Sequence, residues 1–83
     1  MNRLEWRGAA ESLIAHARAV RAGGTVDGWA MPDGPTPDPE CATLRAAMVY
    51  LAAEVEVVRA GKASGLYVLD DELASTERAL ARL

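Results

Sequence analysis

Apolar residues recur along this chain with the period of a helix in three places, and Gly and Pro interrupt the pattern between them. In the first segment Trp6, Ala9, Ala10, Leu13, Ile14, Ala17 and Val20 project onto one arc of about 140°, with Arg7, Glu11 and Arg18 opposite. That pattern predicts a half-buried helix. Asn2 stands before it as a cap with Glu5 three residues on, the arrangement of a capping box, and Gly23-Gly24 stops it, so the helix is expected over residues 2–22.

Residues 23–38 carry Gly23, Gly24, Gly28 and Gly34 together with Pro32, Pro35 and Pro37, which fix φ and remove backbone donors; a loop is predicted there. A helix connection of this length is functional, packed on the body or mobile. Trp29 either folds down to cap the bundle or stands out with Met31 as an anchor for another molecule, because aromatic residues dominate binding hot spots.

The second helix is predicted over residues 39–60. Asp38 caps it, Pro39 takes the first helical position where a missing N–H costs nothing, Glu40 complements the positive end of the dipole, and Gly61 ends it. At 1.5 Å per residue it is a rod of about 33 Å, close to the first helix in length, which predicts an antiparallel pair. Leu44, Ala47, Met48, Leu51, Val55 and Val58 form its main stripe. A second set, Ala46, Val49, Tyr50, Ala53, Val57 and Ala60, covers much of the other side, so that apolar residues span about 260° with Glu54 inside the sweep. One neighbouring helix cannot cover such an arc. Glu54 is therefore either paired with an arginine of the first helix or of another subunit, or turned to solvent between two packed flanks.

Two starts are open for the third helix. Leu66, Leu69, Leu73, Thr76, Leu80 and Leu83 keep a helical spacing that implies residues 65–83, whereas Asp70 as a cap gives residues 71–83. The expected fold is all-α in a single domain over residues 1–83: a three-helix bundle, or a long antiparallel helical hairpin plus a third helix.

Composition adds that the apolar half of the chain is mostly Ala, Leu and Val, with two Trp, two Tyr and no Phe. A core of small contacts in a chain of 83 residues is marginal on its own, and self-association would relieve it. No apolar run approaches the roughly 20 residues that cross a bilayer, and Met1–Arg7 is charged and amphipathic, unlike a signal peptide. A lone cysteine, Cys41, allows no internal disulfide, which fits a reducing cytoplasm. Eight Arg against one Lys, with abundant Ala and Gly, reads as the coding bias of a GC-rich bacterial or phage genome.

The net charge of −3 is unevenly spread: +2 over residues 1–22, −4 over 23–40, +1 over 41–62 and −2 over 63–83. The arginines of the first segment are offset by acidic neighbours, and the final helix is too acidic to enter a major groove, so nucleic-acid binding is not expected. Catalytic chemistry is as thinly supplied. His16 and Cys41 are the only residues of their types, Asp70-Asp71-Glu72 point in different directions on a helix, and Gly61-Lys62-Ala63-Ser64 lacks the spacing of a phosphate loop. No catalytic, cofactor or metal site is predicted.

What remains is interaction. The sequence reads as a non-enzymatic adaptor, inhibitor or accessory subunit that meets a protein partner of unknown identity and forms a homodimer, with Val49, Tyr50, Ala53, Glu54, Val57, Trp29 and Met31 as candidate contacts. The alternative is a small-molecule binder with a pocket under the 23–38 loop lined by Trp6, Trp29 and Met31, and a weaker one is a transcriptional regulator or antitoxin.

Overall fold

A computed structural model describes residues 1–24 and 27–83, which form three helices and no strand: α1 (Arg3–Arg21), α2 (Pro39–Arg59) and α3 (Tyr67–Ala81). Their starts follow the local chemistry of the sequence. Asn2 accepts from the Glu5 N–H at 2.8 Å while its own N–H donates to Glu5 Oε1 at 3.0 Å, completing the capping box of α1. The Asp38 carboxylate accepts from the Cys41 N–H at 2.8 Å at the start of α2.

α1 and α2 end alike. Gly23 (φ 81°) and Gly61 (φ 69°) take the left-handed conformation that a residue with a Cβ resists. The Gly24 N–H then reaches back to the Ala19 carbonyl at 2.8 Å, and the Lys62 N–H to that of Val57 at 3.0 Å, so both helices close with the paired hydrogen bonds of a Schellman motif.

α3 resolves the open start in favour of the longer helix, though it begins at Tyr67 and not at 65, and the 71–83 alternative does not form. Asp70 lies within the first turn, its N–H bonded to the Leu66 carbonyl at 2.9 Å, and its side chain is drawn to Arg21 at 2.8 Å. Leu66 occupies the cap position with no side-chain hydrogen bond. A lost cap costs about 1 kcal/mol, whereas the added turn buries Leu69 completely, worth about 1.5–3 kcal/mol. Packing outweighs capping here.

The three helices share one core, in which Trp6, Leu13, Leu44, Met48, Leu51, Val55 and Leu69 are fully buried. The relative direction of α1 and α2 differs from expectation. Arg3 at the head of α1 pairs with Asp38 at 2.6 Å and Glu40 at 3.3 Å at the head of α2, while Val20 and Arg21 share a depression with Val58 and Arg59 at the other end. The two helices therefore run parallel, which rules out an antiparallel hairpin of α1 and α2; α3 runs against both, the carbonyl of Leu83 just past its end accepting from Arg3 at 3.4 Å.

Loop length is the physical reason. Extended at about 3.3 Å per residue, Gly24 to Asp38 reaches roughly 46 Å, enough to return along the roughly 28 Å of α1 before α2 begins. Residues 25 and 26 of this loop lie outside the described residues. The rest is held on the body: Trp6 Nε1 donates to the Pro35 carbonyl at 3.1 Å, Trp29 and Met31 pack against the core, and Gly34 lies so close to Met1 that an added Cβ would meet its Cγ at 2.7 Å.

Candidate interaction face on the second helix

The buried residues of α2, Cys41, Leu44, Met48, Leu51 and Val55, define its inward side. Opposite them, Ala46, Val49, Tyr50, Ala53, Val57 and Ala60 occupy an arc of about 100°, and every one of them is exposed. Tyr50 is 67 % exposed, Val49 43 % and Val57 37 %. α1, α3 and the loop pack against the inner side of α2 and leave this strip open.

Its two edges differ. On one, Arg45 and Glu56 lie within about 20° of each other around the helix, three turns apart. Glu56 holds Arg59 at 2.9 Å, while Arg45 has no ion-pair partner among the described residues. On the other edge Ala46, Ala47 and Tyr50 form a shallow groove of about 310 Å³ with Ser75 and Arg78 of α3 and Arg82 at its C-cap. Glu54 sits on that α3 side beside Ala47, half-buried, with no hydrogen bond or ion pair among the described residues.

The candidate contacts thus divide. Val49, Tyr50, Ala53 and Val57 come together as one strip, Glu54 flanks it, and Trp29 and Met31 pack on the core, half-buried. Trp6, the third side chain proposed for a ligand pocket, is completely buried, and the described surface depressions are lined by other residues.

The candidate chemical groups are scattered: Asp70, Asp71 and Lys62 are exposed, His16 is half-buried and only Cys41 is fully enclosed. Cys41 is buried, and desolvation raises its thiol pKa above the ordinary value, with the negative charge of Asp38 adding to the effect. Asp38 itself is held below the usual carboxylate value, first by the Cys41 N–H and then by Arg3. His16 is half-buried with Nε2 shut from solvent and without a hydrogen-bond partner among the described residues. Among the described residues no three of His, Cys, Asp and Glu converge as a metal site, and no helix is long and apolar enough to cross a membrane.

The charge pattern of α1 acquires a structural meaning that the sequence only hinted at. Arg3 pairs with Asp38 and Glu40, Arg18 with Glu77 at 3.1 Å, and Arg21 with Asp70, so the basic face of α1 clips it to the acidic elements on either side. Comparison of the chain with protein-family models, with curated proteins and with solved structures finds no match in any of the three.

Proposed function

We propose that this chain is a non-enzymatic protein–protein interaction module, an adaptor, inhibitor or accessory subunit, that works through the outer face of α2. One observation carries the reading: Val49, Tyr50 and Val57, three large apolar side chains, stand exposed in a single strip on a rigid helix, with small residues between them that let another backbone approach. Contiguous apolar surface of this kind marks contact sites, whereas scattered exposed residues such as Leu4 need no explanation. Tyr50 beside a basic rim has the aromatic-and-arginine make-up of a binding hot spot. Three of the four arginines of α1 are already neutralised within the chain, which disfavours the regulator reading, and the raised thiol of Cys41 suits a structural residue in a reducing cytoplasm of a bacterial or phage-infected cell.

The test is a photo-reactive benzoylphenylalanine placed at Tyr50 and, separately, at Leu4 on α1, which is 74 % exposed. Irradiated in cells of its own host, the Tyr50 probe is expected to give one discrete covalent product and the Leu4 probe none. No product at Tyr50, or the same product from both positions, rejects the assignment of this face.

A further inference from the structure

Resting on that reading, we infer that the occupant of the α2 face is a second copy of this chain, docked antiparallel through a two-fold axis at the level of Leu51. The face is self-complementary in that arrangement and in no parallel one. Arg45 lies six residues before Leu51 and Glu56 five residues after it, on the same edge of the helix. A two-fold axis perpendicular to the paired helices reverses the chain direction and keeps each edge against its own copy. Arg45 of one subunit then stands opposite Glu56 of the other with an axial offset of one residue, about 1.5 Å, and the pair forms twice. A symmetric parallel pair, whose two-fold axis runs along the helices, would instead carry Arg45 and Glu56 of the two subunits to opposite edges of the interface, where they do not meet.

The apolar positions obey the same axis. Val49 and Ala53 lie two residues on either side of Leu51 and exchange partners, large against small, and Ala42 and Ala60, nine residues on either side, bring small residues together near the ends of the helix. Tyr50 lies one residue from the axis, so the two rings meet on the edge away from Arg45 with an axial offset of about 3 Å, suited to offset stacking. Arg45 lacks a partner among the described residues of one subunit, and the partner of Glu56 is an exposed neighbour on the same helix, a contact worth little. Both charges are open to a cross-subunit bond.

α2 runs most of the 35 Å long axis of the molecule, but a single helix pair is a small interface, at the lower end of what specific dimers bury. Association is therefore expected at micromolar or higher concentration. Analytical ultracentrifugation over that range should show a monomer–dimer equilibrium for the unaltered chain. Arg45→Glu and Glu56→Arg, both at exposed positions, should each weaken it by about ten-fold or more. The double variant R45E/E56R should return to near the original affinity, and an equimolar mixture of the two single variants should dimerise where neither does alone.

Circular dichroism on the same samples confirms that each is folded. A chain that stays monomeric at millimolar concentration, or a double variant as weak as the singles, overturns the inference. The Tyr50 photoproduct separates the two levels: twice the chain's mass supports the second copy, another mass removes the second copy and leaves the interaction face standing, and no product removes both.

Discussion

α1 and α2 are helices of similar length, capped and closed by the same devices, and they bury comparable stripes against a common core. Their outer faces diverge. The exposed side of α1 carries four arginines, of which Arg3, Arg18 and Arg21 pair with carboxylates of α2, α3 and the α2 cap. The exposed side of α2 carries Val49, Tyr50, Ala53 and Val57, with Arg45 at its margin and no charge among the described residues to meet it. Surface chemistry on α1 is spent within the fold, while that on α2 is left over. A helix's role is read from its outward residues once the inward ones have been assigned to packing.

The equality of the inner faces is the first thing to break. Trp6→Ala on α1 is expected to cost roughly 3–5 kcal/mol and Leu51→Ala on α2 roughly 2–5 kcal/mol, since each is completely buried. In a domain this small either loss approaches the whole stability, so urea unfolding at dilute concentration should find little folded protein. Trp6→Phe keeps the ring but loses the bond to the Pro35 carbonyl, and should cost about 1 kcal/mol. A Leu51→Ala variant as stable as the parent would show that α2 is only draped on an α1–α3 core.

Much of this division was legible in the sequence. Helical periodicity found the inward stripe of α1 from Trp6 to Val20 and that of α2 from Leu44 to Val55, because burial imposes a spacing that survives in composition alone. Asn2 and Asp38 fixed two starts through local hydrogen bonds that need no tertiary context. The same wheel separated Val49, Tyr50, Ala53 and Val57 from the core stripe, but it also drew Glu54 into the apolar sweep, where the structure puts it on the α3 flank.

What failed were the non-local relations. Similar helix lengths pointed to an antiparallel pair; only the reach of the 23–38 loop, long enough to span a helix, could have signalled a parallel crossover. Asp70 looked like a cap until Arg21, distant in sequence, claimed its carboxylate. Charge segregation along the chain was visible, but the specific partners Arg3–Asp38 and Arg18–Glu77 depend on topology and could not be read before it was known.

Where the heads of α1 and α2 meet, stability depends on pH. Asp38 has its pKa depressed in the folded state, chiefly by the Cys41 N–H and also by Arg3. A depressed carboxylate adds stability above its unfolded value of about 3.9, and that stability disappears as pH falls through the lower folded value. Asp38→Asn keeps a capping side chain but removes the charge. Its thermal midpoint should lie below that of the parent at pH 6, and the gap should narrow as pH falls below about 3.9 toward the lower folded value. A gap of constant size from pH 6 to pH 2 would assign the effect of Asp38 to geometry and not to charge.

The smallest effect is the one that most directly contrasts the outer faces. Arg21→Ala removes the ion pair with Asp70, whose partners are both nearly half exposed, and a double-mutant cycle with Asp70→Ala should return about 0.2–1 kcal/mol of coupling, shrinking in high salt. Arg45→Ala, measured well below any association, should change the stability of the monomer by less than about 0.5 kcal/mol in either direction. Raising the protein concentration is where the two should part: the unfolding midpoint of the parent rises with concentration by mass action if copies associate, and Arg45→Ala should blunt that rise while Arg21→Ala leaves it intact. Equal concentration dependence in both variants would place Arg45 alongside the arginines of α1, as a charge whose work is confined to one molecule.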